Sequence, residues 1–142
     1  LSSYQLRDGV SPVADLCRVA RDGDTGVAGA VRYWPVAIGR SRASALLLGP
    51  IAVHPTRQGE GIAALLMADT LDRARAAGWA RVLLVGDEAY YGRFGFSRDE
   101  AAGIVFPPPT DPDRLLGRAL RPGAFAGVAG EVAKWSEGAA RP

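Results

Sequence analysis

The 142-residue chain holds one cysteine, one histidine and one methionine. Cys17 has no partner for an internal disulfide, and one thiol with one imidazole makes no metal-ligand cluster. No metal site is expected, and a single thiol fits a reducing compartment, the cytoplasm. No apolar run approaches the ~20 residues that a membrane-spanning helix requires, and no signal peptide is visible. A strong charge of either sign is lacking too. The formal net charge is +2, arginine dominates the basic side, and no Lys/Arg block occurs. Neither a membrane nor a nucleic acid is therefore expected as partner, while a mildly basic surface suits an anionic ligand.

What remains is an ordinary globular composition, 48% apolar, expected to fold as one domain over residues 1–142. Val13 to Ala20 reads as a strand with Leu16 and Cys17 in the core. The Arg21-Asp22-Gly23-Asp24 cluster is a turn, because Asp-Gly takes the positive φ that tight hairpins need. Val27 to Ile38 is a second strand, carrying Val27, Val31, Tyr33 and Trp34. Pro35 inside it predicts an edge or a bulge. Ala45 to Val53 is nearly all apolar, the pattern of a central strand buried on both faces. Gly49-Pro50 interrupts that run. Proline has no N–H for the ladder, so a bulge or a splaying of strands is expected there.

Gly61 to Ala77 reads as a helix with Ala63, Met67, Leu71 and Ala74 on its apolar face, stopped at Gly78. Arg81 to Val85 is a strand, and Glu88 to Arg93 a short helix ended by Gly95. Pro107-Pro108-Pro109 is a rigid connector. Leu115–Leu120 and Val128–Trp135 are expected to form a closing hairpin through Pro122-Gly123, with fraying from Ser136. The order is antiparallel strands, a glycine loop, a helix, a parallel strand, a short helix and a hairpin. That is an α+β pattern with one β-α-β crossover.

The chemistry is concentrated between Leu48 and Ala63, where a buried strand feeds a glycine loop that opens into a helix. Gly59 and Gly61 remove side chains where a ligand's atoms must come close. The first N–H groups of the helix have no partner within it, and its dipole adds partial positive charge. The result is an anion site suited to phosphate or pyrophosphate. A Walker loop would need Gly-Lys-Ser/Thr, which is absent. A dinucleotide fingerprint can be read from Gly59, Gly61 and Ala64. Such a loop, however, follows its strand at once and opens its domain, whereas here His54 to Gln58 intervenes and antiparallel strands come first. Gln58, Gly61 and Ala63 fit a third pattern, Gln/Arg-x-x-Gly-x-Gly/Ala.

Three stretches carry a family resemblance: Ile51-Ala-Val-His-Pro, Gln58-Gly-Glu-Gly-Ile-Ala, and Tyr90-Tyr-Gly-Arg-Phe-Gly-Phe96. Together they resemble the GNAT superfamily of N-acetyltransferases, over about Pro12 to Phe96. The segment Leu120-Arg-Pro-Gly-Ala124 resembles a bacterial subgroup with uncharacterised substrates. The resemblance implies a mixed, mostly antiparallel sheet flanked by helices. It also implies an initial strand and two helices before Val13. Leu1 to Ser11 leaves room for one helical turn, so most of that part is expected to be absent.

The resemblance further implies acetyl-CoA as cosubstrate and a small-molecule or peptide amine as acceptor, with direct attack in a ternary complex and often a homodimer. Backbone groups of Ile51, Ala52 and Val53 would pair with the pantetheine arm. The segment Gly59, Glu60, Gly61, Ile62 and Ala63, with Gln58, would cradle the pyrophosphate. Gly86 to Tyr91, including Tyr90, would line the other wall. Tyr91, four residues before Gly95, would be the general acid that protonates the departing thiolate, and a phenol of pKa ~10 suits that task. A backbone N–H of Ala52 or Val53 would hold the oxyanion. His54, Asp87, Glu88 or a water could serve as base. Two other readings stand beside this one: an acyl-CoA-binding sensor or scaffold without turnover, and a dinucleotide-binding oxidoreductase.

Overall fold

The computed structural model describes residues 2–21, 23 and 26–136. The chain opens with α1 (Ser2–Arg7) and a 3-10 turn (Ala14–Leu16). The strands β1 (Arg18–Arg21), β2 (Val27–Ile38) and β3 (Ala43–Val53) follow. Next come α2 (Ile62–Ala76), β4 (Arg81–Val85), α3 (Glu88–Tyr91), β5 (Ile104–Val105), β6 (Leu115–Ala119) and β7 (Gly130–Lys134). Among the described residues seven strands form one sheet in the order β5-β7-β2-β3-β4-β6, with β1 also on β2. The sheet is mostly antiparallel. Its β3–β4 pair is parallel, joined by α2 as the crossover, and the short β5–β7 pair is parallel too.

Both faces of the sheet are covered. On one, Val31, Tyr33, Leu46, Leu48 and Leu84 pack against Leu66, Met67 and Leu71 of α2. On the other, Val36, Ile38, Leu47 and Leu83 pack with Leu6 of α1, Phe106 and Val132. One polar pair lies inside the first core. The Thr70 hydroxyl donates to the Leu66 carbonyl (2.7 Å), and the Tyr33 hydroxyl donates to Thr70 Oγ1 (2.7 Å). Both buried hydroxyls thereby have partners, which removes the cost of leaving them bare.

The bulge foreseen at Gly49-Pro50 is present. Tyr33 faces Leu48 and Val31 faces Ile51, so two residues of β3 oppose the single Arg32. Pro35 also has an explanation. β1 leaves β2 at Val31 and β7 joins it at Val36. The gap between them is bridged by the Val13 N–H donating to the Tyr33 carbonyl (2.9 Å). Backbone groups alternate sides along a strand, so the missing N–H of Pro35 falls in this gap and breaks no ladder.

Several expectations are corrected. Val13–Ala20 is not a continuous strand. The Val13–Tyr33 bond and a Cys17 N–H to Ala14 carbonyl bond (3.1 Å) turn the chain before β1 begins. β3 is buried on both faces only over Ala45–Leu48. Beyond the bulge, Ile51 and Val53 are half-buried and Ala52 is exposed, because β4 pairs only with Leu46 and Leu47. The buried face of α2 is made by Ile62, Leu66, Met67, Thr70, Leu71 and Ala74, and Ala63 is not among them.

β6 and β7 do not form a hairpin. β6 completes the free edge of β4, while β7 pairs with β2 and β5 at the far side. Pro122-Gly123 makes only a local turn (Ala124 N–H to Arg121 carbonyl, 3.2 Å). The two strands stand on opposite sides of the β2–β3 pair, although both reach the core opposite α2, through Leu115 and Val132. β5 has no counterpart in the sequence reading. The Asp22 and Asp24 positions of the predicted turn, and residues 137–142 of the predicted frayed end, lie outside the described residues.

Candidate active site

β3 and β4 run side by side at Leu46–Leu47 and then separate. The His54 N–H donates to the Ala28 carbonyl of β2 (2.7 Å), and Ala52 stands opposite Ala30. Alternation of backbone groups therefore turns Ala52 toward β2 and leaves the N–H and C=O of Ile51 and Val53 facing the open side. An unpaired strand edge thus looks into the gap where β4 has departed.

A cleft of about 540 Å³ occupies that gap. One wall is Ile51, Val53 and the start of α2. The other is Tyr90, Arg93 and Phe94. At its mouth lie Gln58, Gly59 and Gly61. Both glycines have positive φ, +86° and +80°, and a Cβ on either would meet no protein atom within 4 Å. Their role is thus conformational, and the space beside them is open to a ligand. Gly61 caps α2 with its backbone, its carbonyl accepting from the Leu65 N–H (3.1 Å), with no side-chain cap. The N–H groups of Ile62, Ala63 and Ala64 are therefore left without helical acceptors at the cleft.

Two arginines that the sequence reading did not single out stand at this opening, Arg57 and Arg93. The Arg57 Nε–H donates to both carboxylate oxygens of Glu60 (Oε1 2.8 Å, Oε2 2.9 Å). Arg93 donates to the Tyr90 carbonyl (3.1 Å) and lies over the Tyr90 ring, 4.6 Å from its centre. The available signal was chemical: a pyrophosphate calls for cations, and Arg57 immediately precedes the glycine loop. Phe94 and Ala64 complete the lining.

Of the residues named from sequence, Ile51, Val53, Gln58, Gly59, Gly61, Ile62, Ala63 and Tyr90 line one cleft. Ala52, Glu60, Gly86 and Tyr91 do not line it. Glu60 is held by Arg57. Gly86 is covered by the Tyr91 ring: a Cβ there would lie 2.6 Å from Tyr91 Cε2. Tyr91 is half-buried behind Tyr90, their rings edge-on at 4.9 Å, and also meets Phe96 at 6.3 Å. Burial pushes its phenol above the ordinary value, Tyr90 adds to the rise and Arg114 opposes it.

The three side chains considered as bases all have local partners. His54 Nδ1 accepts from the Thr56 N–H (3.2 Å) and meets the Thr56 hydroxyl (2.8 Å). Asp87 caps α3 by accepting from the Ala89 N–H (3.1 Å), and Glu88 accepts from the Arg98 N–H (2.8 Å). Among the described residues no three His, Cys, Asp or Glu side chains gather as a metal site. No helix of the described residues is long and apolar enough to cross a membrane.

Residues 14–98, more than half of the chain, match the acetyltransferase (GNAT) domain family. The chain belongs to the GNAT family. YhbS of Escherichia coli K12, an uncharacterised N-acetyltransferase, is 36% identical over 78 residues, 55% of this chain and 47% of that protein. This GNAT chain therefore spans about half the length of the curated relatives it matches. The crystal structure of E. coli YhbS in complex with CoA superposes with a TM-score of 0.75 at 30% identity, covering 82% of this chain and 65% of that one. A Brucella melitensis GNAT acetyltransferase in complex with acetyl-CoA gives 0.62 at 32% identity, with 83% and 64% covered. The oxidoreductase alternative loses its basis. The glycine loop belongs to a GNAT domain, and the parallel β3–β4 pair is bordered by β2 and β6 running antiparallel to it, which is not a doubly wound parallel sheet.

Proposed function

We propose that this GNAT domain binds acetyl-CoA in the β3–β4 cleft and transfers the acetyl group to a primary amine. The observation that carries this reading is the single cleft that joins an unpaired strand edge, Ile51 and Val53, to an anion-binding helix start, Gly59 to Ala64. A pantetheine arm carries amide groups, which can pair with that edge as an added strand would. A pyrophosphate carries the charge that the α2 N–H groups, Arg57 and Arg93 can meet. The two protein neighbours that contain CoA and acetyl-CoA support the same ligand.

In this reading the amine nitrogen attacks the thioester carbonyl. The oxyanion forms beside the Val53 N–H, the outward-facing member of the pair considered from sequence. The C–S bond then breaks and Tyr91 protonates the thiolate. Burial raises the Tyr91 phenol above its ordinary value, so it is protonated at neutral pH and holds a proton to give. With His54, Asp87 and Glu88 all engaged locally, the amine proton leaves through water. That engagement is also what favours the competing reading, binding of acyl-CoA without turnover.

A thermal-shift titration with acetyl-CoA, CoA and NAD separates these possibilities. A ligand at a hundredfold excess over its Kd raises stability by ~2.7 kcal/mol. A rise with acetyl-CoA and CoA but not NAD, followed by thiol release on addition of amines, supports the transferase. A rise without thiol release for any amine favours the sensor. No rise with either thioester or thiol removes the cofactor assignment.

A further inference from the structure

A second open cavity of about 540 Å³ lies on the other face of the sheet, between α1 and β2. Its lining includes Tyr4, Arg7, Asp8, Arg32 and Trp34. Trp34 shares its face of β2 with Val36 and Ile38, opposite the Tyr33 face that packs on α2. The cofactor cleft, whose wall includes Ile62 of α2, belongs to the Tyr33 face. The two cavities therefore sit on opposite faces around the same bulge. The Trp34 indole is seated in the notch left by Gly49, where a Cβ would lie 2.5 Å from its Cζ3. Two residues further along β3 is Ile51, whose backbone faces the cleft.

The charge in this cavity is uneven. The Arg7 guanidinium lies 4.4 Å from the Tyr4 ring centre and 4.6 Å from that of Trp34. Stacking uses the flat faces of the guanidinium and leaves its in-plane donors available. Of these, Nε donates to the Ser3 carbonyl (3.2 Å). Arg32 is exposed, and its side chain makes no ion pair or hydrogen bond among the described residues. Asp8 is the one carboxylate against these two cations. Two guanidiniums without acid partners, one oriented by aromatic rings, form a receptor for a planar anion, and the matching group is a carboxylate.

We infer that the α1–β2 cavity is the acceptor site and selects a small primary amine that carries a carboxylate. The inference rests on the acetyl-transfer reading. Arg7 and Arg32 hold the carboxylate, Trp34 and Tyr4 flank the carbon chain, and the amine projects past the bulge toward the thioester. The acceptor ammonium first releases one proton to water. Its nitrogen then forms the C–N bond as the C–S bond breaks. The second nitrogen proton leaves to water, and the thiolate takes a proton from Tyr91, which water restores. The products are the N-acetyl amino acid, CoA thiol and one net proton.

The test measures thiol release from acetyl-CoA with matched acceptors: glycine against glycinamide, β-alanine against β-alaninamide, L-glutamate, and O-phosphoethanolamine. Removing one charge-assisted contact changes an equilibrium by about 10- to 100-fold. Carboxylate amines should therefore exceed their amides by that factor in kcat/KM. Arg32→Gln should abolish the preference through KM, while the thermal shift by acetyl-CoA stays unchanged. Arg32→Glu should favour the amides. Equal rates for acids and amides, preference for the phosphate amine, or an Arg32→Gln variant with unchanged KM would overturn the assignment. So would absence of turnover with every carboxylate amine in a protein that acetyl-CoA stabilises, and that result leaves the cofactor site standing. Absence of the acetyl-CoA shift itself overturns both.

Discussion

Gly86 and the ring of Tyr91 occupy the same space. A Cβ on Gly86 would stand 2.6 Å from Cε2 and 2.9 Å from Cδ2 of that ring. Neither atom can retreat freely, because Tyr91 is backed edge-on by Tyr90 and Phe96. The glycine at the end of β4 thus seats the tyrosine instead of touching a ligand. Gly86→Ala is expected to cost about 1–3 kcal/mol of stability, the usual range for overpacking. It should also lower turnover by displacing the phenol. Urea unfolding and a steady-state assay of the same variant check both, and a stable variant with full turnover would separate Gly86 from Tyr91.

Tyr91→Phe keeps the ring and removes only the hydroxyl. Acetyl-CoA affinity is expected to stay nearly unchanged while turnover falls by ~10²-fold, the scale of a lost general acid. The pH profile carries a second signature. Burial raises the phenol above its ordinary value, so the acid form survives to higher pH than in a free tyrosine. The alkaline loss of activity assigned to Tyr91 should therefore fall at higher pH than the titration of a free tyrosine and be missing from the phenylalanine variant. An unchanged rate in Tyr91→Phe would remove the residue from the mechanism.

At Gly61 the demand is conformational. Its φ of +80° is left-handed, and a Cβ would find open space. Gly61→Ala should therefore cost about 1–2 kcal/mol from backbone strain alone, with no clash to relieve. The added methyl would, however, stand at the opening where the α2 N–H groups face the cleft. Acetyl-CoA binding should weaken at a temperature where the variant remains folded, as isothermal titration can show. Full affinity would mean that the ligand does not approach this loop.

Much of the site was readable because it is local. Gly59, Gly61 and the helix they open lie within a few residues, and φ preference and helix-end electrostatics act over that distance. The bulge at Gly49-Pro50 was equally readable, since a proline inside an apolar run advertises a broken ladder. The partition of the closing strands was not. Leu115–Ala119 and Gly130–Lys134 each carry apolar residues, and nothing in either stretch tells which edge of the sheet is vacant. Ala63 was misplaced on the buried face for a related reason: alanine is compatible with a core or a cleft wall, and only the departure of β4 decides. Arg93 escaped notice because its position at the cleft depends on the α3 turn that carries Tyr90.

Tyr33 offers a stability test that does not depend on the site. Its side chain is fully buried, and burial is the largest cause pushing its phenol from 10.0 up to about 12, against smaller opposing effects of Thr70 and Arg118. The folded pKa thus lies above the unfolded one. Below about pH 10 the full stability is present. Above that, the unfolded chain releases the tyrosine proton while the folded chain retains it, so stability falls as pH rises toward about 12. A shift of this size corresponds to about 2–3 kcal/mol. Tyr33→Phe loses the hydrogen bond to Thr70, about 1 kcal/mol, but leaves Thr70 still donating to Leu66. The variant should therefore be less stable near neutral pH and lose less on going from about pH 9 to pH 11. Other titrating groups, including Tyr91 and the Arg81 guanidinium lowered by burial, are common to both proteins and cancel in the difference. Parallel urea titrations at the two pH values measure it, and equal losses in the two proteins would show that Tyr33 does not carry the alkaline limb.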